Sequence, residues 1–561
     1  MEPISKDAER EPSEALRLSY GINFEDLYEH AGLVRIDAVF LSHLAACDIG
    51  LAEKLEAARA APDELDRKTE SELLIEVSPH LDDFLAKLFN IEAELASLAA
   101  AHEELNPIFT CRRVFIQRIA LKKIKADEAA GLDHFILEKK LTERLGGAFD
   151  EDIYARTVLS WMEDTDAHSD DLDLAARYAA WRVHVGRHLT PSVLFKEPEK
   201  IDPYNLVPSL KSKVDNGISM LEIGPEHLRR RDGFELTEPT PSLEEALSEG
   251  HYCIFCHNQG KDSCAHGLRD KKTGEFRAST FDVKLAGCPL EEKISEMHLV
   301  KMRGEIIGAL AMVVVDNPML AATGHRICND CMKSCVYQRQ QPVNTPLAET
   351  RTLADVLELP WGFEIYSLLT RWNPLNLRRP LPRAESGYSV IIVGLGPSGF
   401  TLAHHLLNDG HFVAAIDGAK IEPLDPEISG ITTLGTKVPF HPINDVNSIY
   451  ENLDDRIMAG FGGVAEYGIT VRWNKNYLKI IRLLLERRHA FNMYGGVRFG
   501  GQLTEDTAYA MGFDHIALCT GAGRPTVLNI PNGLAPGVRQ ASDFLMALQL
   551  TGAVKANSIA N

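Results

Sequence analysis

Between the N-terminus and about residue 236, apolar residues recur at three- and four-residue spacing. The run Leu81-Asp82-Asp83-Phe84-Leu85-Ala86-Lys87-Leu88-Phe89, continued by Ile91, Leu95 and Leu98, shows it most clearly. That period predicts amphipathic helices. It stops at Thr237-Glu238-Pro239-Thr240-Pro241-Ser242, which reads as a linker, and Ser242 before Leu243-Glu244-Glu245 reads as a helix start. A helix is predicted from Leu290 to about Val315, and a second punctuated stretch runs from Arg371-Trp372-Asn373-Pro374 to Pro380-Leu381-Pro382. Beyond it the period changes: Tyr388 to Val393 is a short buried-strand run, Phe400 to Asn408 is helical, and His411 to Ile416 is a second strand. The expected organisation is multidomain: a mostly helical region at 1–240 with no legible role, a domain at 241–360, a linker at 361–387, and an α/β domain at 388–561.

Composition adds exclusions. At 45% apolar and 25% charged residues the 561-residue chain has the profile of folded protein. Its net charge of −21 repels phosphate backbones and anionic membranes, so no nucleic-acid partner is expected. Arg229-Arg230-Arg231 and Arg487-Arg488 read as solvated surface. The longest apolar run, Ile306 to Val315, is too short for a membrane span. The first residues lack the build of a signal peptide, and a cytoplasmic location is expected.

Seven of the ten cysteines fall between Cys253 and Cys335, as Cys253-x2-Cys256-x7-Cys264, Cys288-Pro289, and Cys328-x2-Cys331-x3-Cys335. In a reducing compartment such density points to metal rather than disulfides. Two- and three-residue spacings suit one zinc or one iron–sulfur cluster, and Cys-Pro recurs in ferredoxin-type ligation. Cys253-Ile254-Phe255-Cys256-His257 also matches the CxxCH of c-type haem attachment, which is set against it by the absence of an export signal. Iron–sulfur is favoured because the cysteines immediately precede a dinucleotide-type domain, where a metal that moves single electrons has a use that zinc lacks.

That domain opens with Gly394-Leu395-Gly396-Pro397-Ser398-Gly399 between strand and helix, and Asp417 ends the next strand. The first glycine permits the tight turn, the second admits the pyrophosphate, the third lets helix and strand pack, and Asp417 can accept from a ribose hydroxyl. Two later segments, Ile516 to Ala522 with Thr520-Gly521 and Gly462 to Ile469 with Gly463 and Tyr467, resemble the returning strand and the flavin-side loop of the two-dinucleotide-domain flavoproteins, which favours FAD.

The cysteine groups, Gly287-Cys288-Pro289-Leu290, Asp316-Asn317-Pro318, Gly324-His325-Arg326-Ile327-Cys328 and the glycine fingerprint, taken in this order, resemble the glutamate synthase small-subunit and dihydropyrimidine dehydrogenase N-terminal family over roughly residues 245–560. The resemblance implies an α-helical ferredoxin-like domain with two [4Fe–4S] clusters, then a Rossmann-like FAD domain, with electrons passing from NAD(P)H through FAD to the clusters. It implies Cys253, Cys256, Cys264 and Cys335 at one cluster. Cys288, Cys328 and Cys331 would hold the other, with Glu349 as fourth ligand. FAD would be held by Gly394, Gly396, Pro397, Ser398, Gly399, Asp417, Gly463, Tyr467, Thr520 and Gly521, with no catalytic acid or base.

Two departures qualify this. Between Cys264 and Cys288 lie 23 residues where the family has few, read as a surface insertion that could instead draw Cys264 out of ligation. No second glycine fingerprint follows Thr520-Gly521, so the chain is expected to be a fragment, one half of a split protein whose partner chain carries the nicotinamide-binding unit, or a diverged member that takes electrons from another donor; an electron-acceptor protein or domain is the other expected partner. The competing expectations are a zinc-stabilised scaffold with a vestigial dinucleotide fold, and a fragment inactive without the partner chain.

Overall fold

The computed structural model describes residues 16–545 apart from 187–191, 208–209, 225–227, 229–235, 237, 325–326, 454–457, 468–472 and 523–525. Arg229-Arg230-Arg231, Thr237, His325 and Arg326 therefore lie outside the described residues. The molecule is multidomain and roughly half helical, with one parallel sheet.

The apolar stripe buries as its spacing demands: Leu81, Phe84, Leu85 and Leu88 lie on one face of helix Arg67–Phe89, which is capped by the Asp66 side chain and ends on left-handed Asn90. With helices His30–Cys47 and Ile49–Ala60 it joins a core that runs through residues 297–377 into the α/β region. The carboxylate of Asp82 accepts the Gly308 N–H, so a side chain from the N-terminal region caps helix Ile306–Val314. A separate core, holding Phe115, Tyr154, Tyr178, Trp181 and Phe195, gathers residues 108–195. One exposed antiparallel hairpin, β1 (Lys211–Asp215) and β2 (Ile218–Glu222), turns on Asn216-Gly217, both at positive φ.

Helix Leu243–Tyr252 starts at Ser242 with a reciprocal capping box to Glu245. The single helix expected over 290–315 is instead two, Ile294–Met302 and Ile306–Val314, broken where Gly304 takes φ 79°. Of residues 361–387, expected to link two domains, 361–377 are packed and 383–387 are exposed. Helix Gly362–Leu369 is buried throughout, and Trp372, Leu375 and Leu377 lie in the core. The Trp372 indole N–H donates to Asp37 at 2.8 Å, and Arg59 reaches both Asp37 and the Pro374 carbonyl.

The sheet contains β3 (Ser389–Val393), β4 (Phe412–Asp417), β5 (Phe491–Gly495) and β6 (His515–Leu518), all parallel, in the order β5-β4-β3-β6. Strand β3 is interior and apolar, as a doubly covered parallel strand must be. Chain order reverses between β3 and β6, and the crevice at their carboxyl ends is where open α/β sheets bind ligands.

Arg487 and Arg488, expected on the surface, are drawn inside. Arg487 donates to Glu364 at 2.8 Å with both side chains fully buried, and also to the Tyr28 hydroxyl and to the carbonyls of Ile428 and His441. Glu364 further accepts from Tyr28 at 2.7 Å and from the Ile443 N–H at 2.8 Å. Arg488 donates to Asn408 at 2.8 Å. Two adjacent cations are affordable here because each finds oxygen acceptors at hydrogen-bond distance. Removing one partner of a buried pair costs about 3–5 kcal/mol. Glu364→Ala is therefore expected to lower the urea midpoint of the transition that unfolds the N-terminal helices together with the sheet. An unchanged midpoint would show that other contacts join these segments.

Candidate functional site

The first cysteine group is assembled by three chain ends. Helix Leu243–Tyr252 closes on Cys253, and Phe255 takes a left-handed turn, φ 54°, that points its N–H at the Cys253 sulfur at 3.5 Å and brings Cys256 into the next turn. Cys264 sits in the short helix Ser263–His266, its thiol donating to Asp262 at 2.9 Å, and Cys335 follows helix Asp330–Ser334. Cys253, Cys256, Cys264 and Cys335 line one cavity, with Ile294, Val336 and Val343 supplying apolar wall.

The residues between Cys264 and Cys288 form a two-legged loop, with Leu268 bonded to Leu285 and Arg277 to Leu268. Its base is pinched: the Cys288 N–H donates to the Cys264 carbonyl at 2.8 Å, and a Cβ on Gly287 would come within 2.5 Å of the Ala265 carbonyl oxygen. The loop leaves and returns at one point, and Cys264 stays beside Cys253.

Cys288, Cys328 and Cys331 gather around two buried carboxyls, Glu349 on helix Thr345–Leu357 and Glu292 four residues after Cys288. Glu292 and Glu349 are bonded to each other, and burial raises both, Glu349 to about 7 and Glu292 well above the usual carboxyl range. Like charges cannot both persist there, so the pair holds a proton. Nothing in the spacing singles out Glu292 from the sequence; its place four residues after Cys288 is the available signal. Cys331 also lines the first cavity, so it stands between the two groups.

Burial sets the state of these thiols. It pushes Cys253 and Cys288 up to about 12 and Cys256 to about 11, and it carries Cys264 and Cys331 well above the thiol range. A metal centre must therefore displace protons as it binds. The donor set, seven sulfurs with carboxyls, suits soft metal chemistry. His298 lines the first cavity with both ring nitrogens buried and without a hydrogen-bond partner among the described residues. The His257 of the CxxCH run is held at 2.6 Å by the Ser295 hydroxyl.

At the glycine fingerprint, Gly394 has φ 102°, and a Cβ there would lie 2.3 Å from the Cys519 carbonyl oxygen; one on Gly399 would lie 1.9 Å from that of Gly394. These two glycines are fixed by packing of strand, helix and returning strand. Gly396 differs: its missing side chain faces open space, with the nearest atom, the Cα of Gly463, at 3.9 Å. The Gly462 N–H donates to the Leu395 carbonyl at 3.1 Å and holds this second loop against the first. The slot lies at the N-terminus of helix Pro397–Asn408, with Pro397 at its first position and the Ser398 hydroxyl on Cys519.

Asp417 ends β4 as expected, but both carboxylate oxygens already accept backbone N–H groups, from Leu395 at 2.8 Å and Ala419 at 2.9 Å. Each oxygen retains a lone pair for a ligand hydroxyl. Thr520 adjoins Gly394 beyond β6, and Gly521 turns the chain at φ 67°. Tyr467 closes the short helix Val464–Tyr467, and its side chain lies outside the described residues. The fold thus brings Gly394, Gly396, Gly399, Asp417, Gly463 and Thr520 to one crevice. No described helix is long and apolar enough to cross a membrane.

The model of the RP005 N-terminal alpha-helical domain matches residues 18–90, the segment holding the three helices that enter the main core. The chain is 53% identical over 243 residues to Uncharacterized protein RP006 of Rickettsia prowazekii, a match covering 43% of this chain and 33% of the relative. It is 26% identical over 324 residues to the glutamate synthase [NADPH] small chain of Bacillus subtilis, covering 56% of this chain and 50% of that protein. It is thus a distant homologue of the glutamate synthase small chain, and it spans half of that relative and 33% of RP006. Against Uncharacterized protein RP005 of Rickettsia prowazekii it is 32% identical over 302 residues, which cover 98% of that protein. Coverage of that extent, together with the matched helical domain, shows that this chain belongs to the RP005 family.

Proposed function

We propose that the chain is a flavin- and iron–sulfur-dependent oxidoreductase of the glutamate synthase small-chain type, moving electrons between FAD and two [4Fe–4S] clusters. The observation that carries this reading is the sorting of seven cysteines, scattered over more than eighty residues, into two groups that share Cys331 as neighbour. Cys253, Cys256, Cys264 and Cys335 would hold one cluster. Cys288, Cys328 and Cys331, with Glu349 or its partner Glu292, would hold the other. When bound, FAD supplies conversion between two-electron and single-electron transfer, and the clusters carry single electrons.

This chain's residues bind, insulate and space those groups. The slot between Gly396 and Gly463 admits a pyrophosphate to backbone N–H groups, and Asp417 fixes the glycine turn while keeping lone pairs for a ribose. The apolar wall of the first cavity would shield a cluster from water, and His298, whose ring nitrogens have no partner among the described residues, would supply a hydrogen-bond donor beside it. NAD(P)H would act through a nicotinamide-binding domain on a partner chain, and a separate protein or domain would take the electrons.

Zinc fits the sulfur positions less well. One tetrahedral zinc with Zn–S of about 2.3 Å needs sulfurs about 3.8 Å apart. Among the described residues, the only His, Cys, Asp or Glu trio with ligand atoms within 4.8 Å of one another is His43, Cys47 and Asp83. A cube of four irons holds its ligand sulfurs farther apart than one zinc does.

Protein purified without oxygen is expected to show a flavin spectrum over a broad brown background, with about eight irons and eight sulfides per chain. A colourless zinc protein, still colourless after reconstitution with iron, sulfide and FAD, would sink the proposal. Cys253→Ala and Cys288→Ala are each expected to remove about half of the iron, and Cys47→Ala none; unchanged iron in either of the first two would overturn the ligand sets. Gly396→Val, at the one fingerprint position with room for a side chain, is expected to abolish flavin binding while leaving iron content intact. Asp417→Ala should weaken flavin binding, and full flavin occupancy in both variants would place the dinucleotide elsewhere.

A further inference from the structure

A cavity of about 970 Å³ lies between the second helical core and the Cys253 turn, at the upper end of the size range of small-molecule sites. In a chain of net charge −21 its lining runs the other way, with five Lys or Arg side chains against two Glu. Two of the cations are already engaged. The Arg112 guanidinium donates to the Ser248 hydroxyl and to the carbonyls of Ser248 and Val193, and Lys196 neutralises Glu249 at 3.1 Å. The second carboxylate, Glu197, faces His184 at 4.0 Å. Arg113, Lys122 and Lys200 make no ion pair with any described carboxylate, and the Nε2 of His251 beside them has no hydrogen-bond partner.

The backbone explains how these cations meet. Residues Arg112–Ala120 are a π-helix inserted between helix Glu92–Cys111 and the turn Leu121–Lys123. Its i→i+5 bonding aligns residues four and five apart, so Arg113, Gln117 and Lys122 share the face that lines the cavity. In a continuous α-helix the nine steps from Arg113 to Lys122 make about two and a half turns, which would set the two charges on opposite sides. Lys200 closes the cavity from a different segment, where its bridge to Gln340 anchors the chain.

We propose that this cavity binds a small polyanion, a phosphate ester or a polycarboxylate, gripped by Arg113, Lys122 and Lys200 with Gln117 and His251 as neutral hydrogen-bonding groups. The site stands on these residues alone and does not require the clusters to be present.

The test is isothermal titration of the full chain with tripolyphosphate and, separately, with citrate at low ionic strength. Saturable one-to-one binding of either is expected, and which one titrates assigns the ligand to phosphates or polycarboxylates. Arg113→Glu with Lys122→Glu should weaken binding at least tenfold at unchanged iron and flavin content, and Lys200→Glu should act in the same direction. Lys139→Glu with Lys140→Glu, exposed and outside the cavity, should have little effect. Absence of saturable binding to the unaltered chain would overturn the proposal, as would equal losses in the two double variants, which would mark bulk charge attraction.

Discussion

Glu364 has no water to turn to. A carboxylate fully enclosed by protein must find a cation and donors in fixed places, and it finds Arg487, Tyr28 and the Ile443 N–H. Each comes from a different stretch of sequence, so satisfying one charge fixes the N-terminal helices, helix Gly362–Leu369 and the end of helix Asn476–Glu486 against one another. The sheet rides on that last helix, whose buried leucines and isoleucines pack under β5. The position of the glycine crevice relative to the cysteine region thus follows from one desolvated charge and its partners.

What the sequence disclosed was what local spacing dictates. The stripe from Leu81 to Leu98, the capping box at Ser242 and Glu245, the strand-glycine-helix run at 389–408 and the grouping of cysteines each depend on neighbours within a few residues. What it withheld depends on partners far along the chain. Arg487-Arg488 looks like surface until Glu364 and Asn408 come into place, and 361–387 looks like a linker because its prolines and arginines conceal Trp372, Leu375 and Leu377. The break at Gly304 and the hairpin at Asn216-Gly217 carry local signals, a glycine in a helical run and an Asn-Gly pair. Glu292 and the π-helix had weaker ones, since a carboxyl after Cys-Pro and a basic helix face are both ordinary in surface sequence.

The two cysteine groups and the glycine crevice make opposite demands on the fold. Thiols whose pKa burial raises need a low-dielectric surround, and the helices packed about residues 243–357 supply it. A dinucleotide needs backbone exposed at a strand end, which requires removing side chains rather than adding them, and Gly396 facing Gly463 does that. Building one from packed helices and the other from a twisted parallel sheet lets neither compromise the other.

The pinched loop between Cys264 and Cys288 has an evolutionary consequence. Since its two legs enter at a single hydrogen-bonded point, the chain beyond that point can lengthen or shorten without moving either sulfur. Closing a loop twice as long costs only about 0.6 kcal/mol. The neck is therefore a place where lineages can differ in size, and new surface can be acquired beside the cysteine group, while selection on the two cysteines themselves goes undisturbed.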